Sequence, residues 1–318
     1  MRIVIAGITG FVGGHTAEAL LAEGPHELHG LSRTGQWPPG LSHLADRVRL
    51  HATDYSPQSL KGLIGAIRPE SVWHFAGYAN PSRSKLEPEV VRAANVGVTR
   101  DLFEAIVASG CRPRVLFTST GLVYGSVEGS ELVCSETTPF HPRTPYAESK
   151  IEAEQVCVEI AAEGLEVIRV RSFNQIGPRQ SADYAAASFA RQIARIESGQ
   201  QPPVLRTGDL CSQRDLTDIR DLVRAYISLM DRGAPGEAYN AGSGSTRSIR
   251  ELLQGMVAHS SVGIAVEENS DPLHRADTSV SRADIRKLQA ATQWSPQIAF
   301  SQTLLDILNG WRAAVRGG

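Results

Sequence analysis

The sequence predicts an α/β protein in which a largely parallel β-sheet carries helices on both faces and a smaller C-terminal lobe is attached. Short, strongly apolar segments alternate with helical segments from the N-terminus to residue 173. Strands that are apolar throughout are typical of a parallel sheet that is buried on both faces. Beyond residue 174 this alternation gives way to shorter elements separated by proline and glycine, which predicts the second lobe.

The first part of the chain supplies the sheet and its covering helices. Residues 2–7 form a short apolar run that ends in glycine, and residues 12–23 follow with helical periodicity. Ser56 and Pro57 suit the N-cap and first position of a helix over 56–67. Apolar runs predict further strands over 26–32, 47–53, 71–77, 113–120 and 165–173. Longer periodic segments predict helices over 89–109 and 145–163.

The second part of the chain is punctuated by proline and glycine at 177–178, 199–203 and 233–236. Between these breaks, helices are predicted near 183–197, 218–231, 247–258 and 301–314. We therefore expect residues 1–173 to form the main domain. Residues 174–318 are expected to form the smaller lobe, interleaved with the last strands of the sheet.

Composition excludes several classes of protein. The formal net charge is −2 and no stretch is strongly basic, so nucleic-acid or membrane-surface binding has no electrostatic support. No signal peptide or membrane-spanning run is apparent, and we expect a cytoplasmic protein. The spacings of the cysteines match no metal or redox motif, which predicts free thiols and no metal site. The cysteines are Cys111, Cys134, Cys157 and Cys211.

The turn between the first strand and the first helix has the spacing G-x-x-G-x-x-G. Gly7 permits a tight turn, Gly10 lets the backbone approach a pyrophosphate, and Gly13 lets the helix pack on the strand. The helix N-terminus then meets the phosphates. A turn built for chain geometry alone is the alternative, and the strand–turn–helix context disfavours it. The residues predicted to contact a dinucleotide here are Gly7, Thr9, Gly10, Phe11, Val12 and Gly13.

The end of the second strand predicts which dinucleotide is bound. An NAD-specific site normally has an acidic residue here, whereas this chain has Ser32 and Arg33. Ser32 can donate a hydrogen bond to a 2′-phosphate and Arg33 can pair with it, so we favour NADP(H) over NAD(H). Asp54 is a candidate for the adenine amine, with a turn cap as its alternative. Ala76, near the end of the fourth predicted strand, is assigned to the same site.

Thr120, Tyr146 and Lys150 are the candidate catalytic residues. Tyr146 and Lys150 are four residues apart at the start of a predicted helix, so both project from one face. Reduction of a ketone by hydride places negative charge on oxygen, and a phenol can supply the proton. A neighbouring ammonium and a positive nicotinamide ring are expected to lower the pKa of that phenol. Thr120, at the end of the fifth strand, can orient the substrate oxygen.

The chain resembles the extended short-chain dehydrogenase/reductase family over almost its whole length. The segments that carry the resemblance are GITGFVGGH, SVWHFAG, NVGVT, FTSTGLVYG and PYAESK. The resemblance implies a Rossmann-like doubly wound domain that binds the cofactor, and a C-terminal lobe that binds a nucleotide-sugar. It also implies a homodimer formed through the helices near 89–109 and 145–163.

The C-terminal segments narrow the resemblance to the GDP-4-dehydro-6-deoxy-D-mannose reductases, which make GDP-D-rhamnose. These segments include RSFNQIGPRQ, SQRDLTDIRDLVRAY and EAYNAGSGSTRSIRELL. The resemblance makes Thr120, Tyr146 and Lys150 catalytic. It also places Asn174 on the sugar-phosphate, and Arg214 and Arg275 on the pyrophosphate of a GDP-linked sugar.

The chain departs from the pattern of these reductases beside the expected sugar site. Ser172, Gln175 and Arg179 stand where proline, histidine and glycine are usual. The region around 271–282 is also shorter and less proline-rich than is usual in the group. These departures bear on which sugar is bound.

Three alternative functions fit the residues less well than a reductase does. Dehydratases of this fold carry an acid–base pair after the catalytic threonine, whereas Gly121 and Leu122 follow Thr120 here and cannot move a proton. A nucleotide-sugar 4-epimerase uses the same tyrosine and lysine but usually prefers NAD, which Ser32 and Arg33 disfavour. A non-catalytic dinucleotide sensor can lose the Tyr-Lys pair, and this chain keeps it.

Overall fold

The computed structural model describes residues 1–80, 83–125, 131–268 and 280–317. Within them, seven parallel strands form one central sheet. In chain order the strands are β1 (Arg2–Ala6), β2 (Glu27–Ser32), β3 (Val48–Ala52), β4 (Ser71–His74), β5 (Arg114–Thr120), β6 (Glu131–Cys134), β7 (Val167–Ser172), β8 (Asn174–Ile176), β9 (Val204–Thr207), β10 (Gln213–Arg214), β11 (Leu216–Asp218), β12 (Ala238–Ala241), β13 (Arg247–Ser248), β14 (Ala265–Glu268) and β15 (Val280–Ala283).

Helices connect these strands. The α-helices are α1 (Phe11–Glu23), α2 (Pro57–Ile67), α3 (Pro88–Arg92), α4 (Val98–Ala108), α5 (Pro145–Ala162), α6 (Ala185–Glu197), α7 (Ile219–Arg232), α8 (Ile249–Val257), α9 (Arg286–Thr292) and α10 (Phe300–Gly317). Short 3-10 helices cover Pro39–Leu44, Arg83–Lys85 and Gly121–Tyr124, and a π-helical turn covers Ala93–Gly97.

The order of strands in the sheet is β3-β2-β1-β4-β5-β7-β12. This is the doubly wound Rossmann order with one further strand, and it reverses direction between β1 and β4. In such a sheet the carboxyl ends of the strands meet at one edge, and ligands bind in the crevice at the reversal point. The predicted Rossmann-like fold is confirmed.

Two apolar cores lie on the two faces of the sheet. On one face α1 and α7 pack over a cluster that includes Ile3, Ile5 and Trp73. On the other face α2, α4 and α5 cover a cluster that includes Val4 and Val72. Adjacent residues of β1 and β4 therefore alternate between the two cores, as expected for strands buried on both sides.

The smaller lobe has its own apolar core between α6, α8 and α10. Pairs of short strands, β8 with β11, β9 with β14 and β10 with β13, surround this core. The predicted 174–318 range also contributes β12 (Ala238–Ala241) to the central sheet, where it pairs with β7. It contributes α7 to the helices that cover one face of that sheet. The chain thus passes back and forth between lobe and sheet in its second half.

Several predicted boundaries differ from the structure. The strand predicted over 71–77 ends at His74, because Gly77 takes a positive φ of 152° and the following residues leave the sheet. The single helix predicted over 89–109 is interrupted by the π-helical turn. The strands β6 and β15, which pair with each other, and helix α9 are too short for a periodicity argument to detect.

Four cysteines are free thiols, and three of them are buried. Among the described residues no helix has both the length and the apolarity that crossing a bilayer requires. Residues 269–279 lie outside the described part of the chain, and the predicted pyrophosphate ligand Arg275 is one of them.

Candidate active site

A cavity of about 740 Å³ opens at the carboxyl edge of the sheet, between the sheet and the smaller lobe. Most of the residues predicted for the site line it. These are Gly7, Thr9, Gly10, Phe11, Val12, Gly13, Ser32, Arg33, Ala76, Thr120, Tyr146, Lys150 and Asn174. Asp54 and Arg214 are not among its lining residues.

The glycine turn at the floor of the cavity depends on missing side chains. Gly7 has a φ of +83°, and a Cβ there would lie 2.7 Å from the backbone nitrogen of Ala76. A Cβ on Gly13 would lie 2.3 Å from the carbonyl oxygen of Gly7. At Gly10, the N-cap of α1, no side chain caps the helix. The first N–H groups of α1 are thus kept for an anionic ligand.

Tyr55 braces this turn against the second strand. Its hydroxyl accepts a hydrogen bond from the Gly7 N–H at 3.1 Å and donates to the Leu31 carbonyl at 3.0 Å. Burial raises the pKa of Tyr55 to about 12, which keeps the phenol neutral and able to donate. Sequence reasoning missed Tyr55, although its place beside Asp54, just after β3, is a usable signal.

The residues at the ends of β2 and β3 have separate roles. Ser32 accepts a hydrogen bond from the Gly35 N–H at 3.0 Å, which leaves its own proton available to a ligand. The Asp54 carboxylate accepts from the Ser56 N–H at 2.9 Å, so in the structure it caps the turn before α2. That hydrogen bond lowers the pKa of Asp54. Its contact with adenine stays a prediction.

The π-helical turn before α4 positions Asn95, which sequence reasoning also missed. Its amide oxygen accepts from the Tyr78 N–H at 2.8 Å, and its amide nitrogen donates to Ser149 Oγ at 2.9 Å. A Cβ on Gly77 would lie 2.5 Å from the Asn95 oxygen. The segment after β4 is therefore held against α5 at the wall of the cavity. π-turns inside helices are frequent at functional sites, which is a signal only the structure provides.

The candidate catalytic residues converge from two elements. Thr120 ends β5, and its hydroxyl accepts from the Leu122 N–H at 3.3 Å. Thr144 caps α5 by accepting from the Ala147 N–H at 3.2 Å, which places Tyr146 in the first helical turn. Lys150, one turn later, donates from Nζ to the Thr118 carbonyl at 2.9 Å.

Burial controls the protonation of the tyrosine and the lysine. Burial raises the pKa of Tyr146, and a hydrogen bond from Thr120 opposes that shift without reversing it. Burial lowers the pKa of Lys150 to about 8. The sequence argument expects the Lys150 ammonium and a bound nicotinamide ring together to lower the pKa of Tyr146, which stays a prediction for the complex, whereas in the chain alone this pKa is raised. The reason is that the cost of a buried phenolate outweighs the favourable contacts that the chain alone provides.

Two of the unusual residues beside the expected sugar site bond to one buried phenol. The Ser172 hydroxyl lies 2.7 Å from the Tyr226 hydroxyl, and Gln175 Nε2 donates to the same oxygen at 3.4 Å. Both residues line the cavity, so their departure from the usual pattern changes its wall.

The third unusual residue, Arg179, has a positive φ of 70°, a conformation that suits the usual glycine. Its guanidinium donates to His15 Nδ1 at 3.1 Å and to Glu18 Oε2 at 2.6 Å. The arginine thus ties the loop after β8 to helix α1, whose N-terminus is predicted to bind phosphate.

Arg214 lies in β10, opposite Arg247 in the ladder with β13. One of its guanidinium nitrogens donates to the carbonyl of Gln213 at 2.6 Å. The structure does not bring Arg214 into the cavity wall, and its contact with a pyrophosphate stays a prediction.

A sequence model described as GDP-mannose 4,6 dehydratase matches residues 4–307. The chain belongs to this family. The family is part of the extended short-chain dehydrogenase/reductase group that the motifs predict, and that prediction is confirmed. The relatives of this chain include a reductase, an epimerase and dehydratases that act on nucleotide-sugars. What they share makes the chain a nucleotide-sugar-modifying oxidoreductase.

Curated relatives of the family cover almost the whole chain. A GDP-6-deoxy-D-mannose reductase from Pseudomonas aeruginosa is 33% identical over 316 residues, covering 99% of this chain and 98% of the relative. A UDP-glucose 4-epimerase from Mycolicibacterium smegmatis is 28% identical, covering 98% of this chain and 99% of the relative.

Solved structures of the family match the fold closely. RMD from Pseudomonas aeruginosa, solved in complex with NADPH, superposes with a TM-score of 0.83 at 32% identity, covering 98% of this chain and 99% of that one. UDP-glucose 4-epimerase from Thermus thermophilus, solved in complex with NAD, has a TM-score of 0.86 at 27% identity, covering 99% of this chain and 100% of that one.

Proposed function

We propose that this protein uses NADPH to reduce the 4-keto group of GDP-4-dehydro-6-deoxy-D-mannose, giving GDP-D-rhamnose. The observation that carries the proposal is that Thr120, Tyr146 and Lys150 line the same cavity as a glycine turn suited to a dinucleotide. The 33% identity to a GDP-6-deoxy-D-mannose reductase supports the GDP-linked substrate.

Several features of the cavity fit a nicotinamide dinucleotide. The α1 N-terminus lacks a side-chain cap, and Ser32 and Arg33 line the cavity at the end of β2, where a 2′-phosphate is recognised. In the described part of the chain, the buried Ser119 hydroxyl and the Gln180 amide oxygen in the cavity wall have no hydrogen-bond partner. When bound, NADPH supplies a hydride to carbon 4 of the sugar.

Side chains of the protein supply the proton and stabilise the negative charge that its transfer leaves behind. Tyr146 gives its proton to the new alkoxide, and its raised pKa keeps it in the acid form that a reduction requires. Lys150, with a pKa of about 8, remains largely protonated at neutral pH and stabilises the phenolate that Tyr146 leaves behind. With substrate bound, Thr120 turns its single proton from the Tyr146 oxygen to the ketone oxygen and orients the ketone, and solvent then reprotonates Tyr146.

The residues after Thr120 argue against 4,6-dehydration. Gly121 packs against Phe173 so closely that a Cβ would lie 2.8 Å from the ring. A carboxylate therefore cannot be accommodated there unless Phe173 moves, and the next residue, Leu122, has no acid or base. We accordingly favour reduction, even though the family takes its description from dehydratases.

The activity test offers NADPH and NADH separately with 4-keto-6-deoxy sugars linked to GDP, dTDP, UDP and CDP. We expect stoichiometric consumption of NADPH with the GDP-linked sugar, and a product whose carbon 4 has the GDP-D-rhamnose configuration by NMR. An epimerase would interconvert UDP-sugars without net consumption of cofactor, and a sensor would bind dinucleotide without turnover. Either outcome would contradict the proposal.

A further inference from the structure

Tyr184 crosses from the smaller lobe to the cofactor-binding side of the cavity. It is the N-cap residue of α6, with an extended backbone at φ −103° and ψ 145°. Its N–H donates to the Ser181 carbonyl and its carbonyl accepts from the Ser188 N–H, which fixes its backbone. The hydroxyl donates to the Ala79 carbonyl at 2.6 Å, in the segment that follows β4.

Tyr184 lines the same cavity as Tyr146. An ionised Tyr184 would raise the pKa of Tyr146, which is a secondary effect beside burial. Burial also raises the pKa of Tyr184, so the side chain is a neutral phenol at neutral pH. The reaction space is therefore bordered by two protonated tyrosines from different lobes.

The two tyrosines differ in what their hydroxyls can offer a ligand. A phenol has one proton to donate and lone pairs that accept. The Tyr184 hydroxyl donates its proton to the Ala79 carbonyl, and this is the hydrogen bond that the hydroxyl makes within the described part of the chain. Its oxygen can therefore act toward the cavity only as an acceptor, and its natural partner is the O–H of a sugar.

We propose that Tyr184 is a positioning residue that accepts a hydrogen bond from a sugar hydroxyl while its own proton links the lobe to Ala79. This proposal rests on the proposed function for its substrate class, a sugar carried on a nucleoside diphosphate. The bond fixes the rotation of the sugar ring, and so decides whether its ketone faces Tyr146.

The test compares Tyr184→Phe with the wild type in steady-state kinetics and in equilibrium binding. We expect KM for the 4-keto sugar nucleotide to rise about threefold to tenfold, the loss typical of one neutral hydrogen bond, with a smaller change in kcat. The dissociation constant of NADPH should stay unchanged. Tyr239→Phe is the matched control, because Tyr239 also bonds a backbone group, the Ala234 N–H at 2.9 Å, but lies in β12 away from the cavity.

Binding measured without turnover separates this proposal from the proposed function. Calorimetry with the NADP⁺-loaded protein should show weaker binding of GDP-mannose to Tyr184→Phe and equal binding of GDP, which lacks the sugar. If Tyr184→Phe bound GDP-mannose and GDP each as tightly as the wild type does, the role of Tyr184 would be overturned. A loss of NADPH affinity in the variant would also overturn it, because that loss indicates a purely structural link to Ala79. Wild type that binds GDP-mannose but turns over no 4-keto sugar contradicts the proposed function alone. If the wild type binds UDP-glucose instead of GDP-mannose, Tyr184→Phe and the wild type are compared in the same way with UDP-glucose and UDP.

Discussion

Hydrogen bonds fix which ring nitrogen of His74, a buried residue at the end of β4, carries the proton. Thr99 donates its proton to the Asn95 carbonyl at 2.6 Å, so His74 Nε2, at 2.8 Å, must donate to the Thr99 oxygen. His74 Nδ1 then carries a lone pair, and it has no partner among the described residues. Burial, reinforced by the positive charge of Lys150, lowers the pKa of His74 to about 3. The ring is held neutral.

In His74→Gln the free energy of unfolding should fall less steeply with decreasing pH than it does in the wild type. The unfolded chain gains a proton at His74 near pH 6.5 and the folded chain only near pH 3, so the free energy of unfolding falls as pH drops through that window. The slope from this group is at most about 1.4 kcal/mol per pH unit. Urea unfolding at a series of pH values measures it. Parallel curves for wild type and variant would contradict the assignment.

Tyr146→Phe should lower the rate of reduction by about 10²- to 10⁴-fold, the usual contribution of a general acid. The ring is retained, so the affinity for NADPH should change little. Single-turnover consumption of NADPH measures the chemical step, and fluorescence titration measures binding. Turnover at the wild-type rate would remove Tyr146 as the proton donor.

At the scale of elements, the β1–α1 turn is held by contacts from two other segments, one of which is itself held by a third. Tyr55 holds it from the end of β3, and Ala76 approaches Gly7 from the segment after β4. The π-helical turn holds that same segment through Asn95. The β1–α1 turn is therefore part of a rigid edge and cannot adjust by itself to an added side chain.

Gly13→Ala should weaken NADPH binding by at least about tenfold and lower the free energy of unfolding by about 1–3 kcal/mol, the usual cost of overpacking. The cause is the 2.3 Å approach of its Cβ to the Gly7 carbonyl. Gly62→Ala is the matched control. A Cβ at Gly62, inside α2, meets nothing within 4 Å, so alanine should stabilise the helix by about 0.5–1 kcal/mol. Thermal unfolding and NADPH titration compare the two variants. Unchanged NADPH affinity in Gly13→Ala would contradict this account of the turn.

At the scale of the whole molecule, the helices that cover one face of the sheet also offer apolar side chains to solvent. Val90 on α3 is 55% exposed, Val158 on α5 is 41% exposed, and Leu86, just before α3, is 81% exposed. A contiguous apolar patch marks a protein–protein interface, whereas single exposed apolar side chains are ordinary on protein surfaces. The family resemblance implies a homodimer formed through the helices near 89–109 and 145–163, and we propose that these three side chains belong to its interface.

Val158→Glu should convert the proposed dimer into a monomer at micromolar concentration, because it would bury a carboxylate in the proposed apolar interface. Sedimentation velocity measures the change. Val266→Glu, at a comparably exposed valine in β14 of the smaller lobe, is the control and should leave the association state unaltered. A monomeric wild type, or a dimer that survives Val158→Glu, would contradict this interface.

The sequence by itself determined the features that depend on local patterns. Apolar periodicity predicts the sheet and most of its helices, and the glycine spacing predicts the turn of Gly7, Gly10 and Gly13, because backbone sterics and alternation act over a few residues. The Tyr146 and Lys150 spacing likewise predicts two side chains on one helical face. All of these predictions agree with the structure.

Only the tertiary structure decided which side chains meet across long separations. Tyr55 reaches Gly7 across 48 residues and Tyr184 reaches Ala79 across 105, and no local pattern records either contact. The same holds for protonation, since the pKa of Tyr146 follows from burial that the folded chain creates. Arg214 lies away from the cavity wall for the same reason. Short-range preferences determine elements, whereas the position of a side chain in the site depends on how those elements pack.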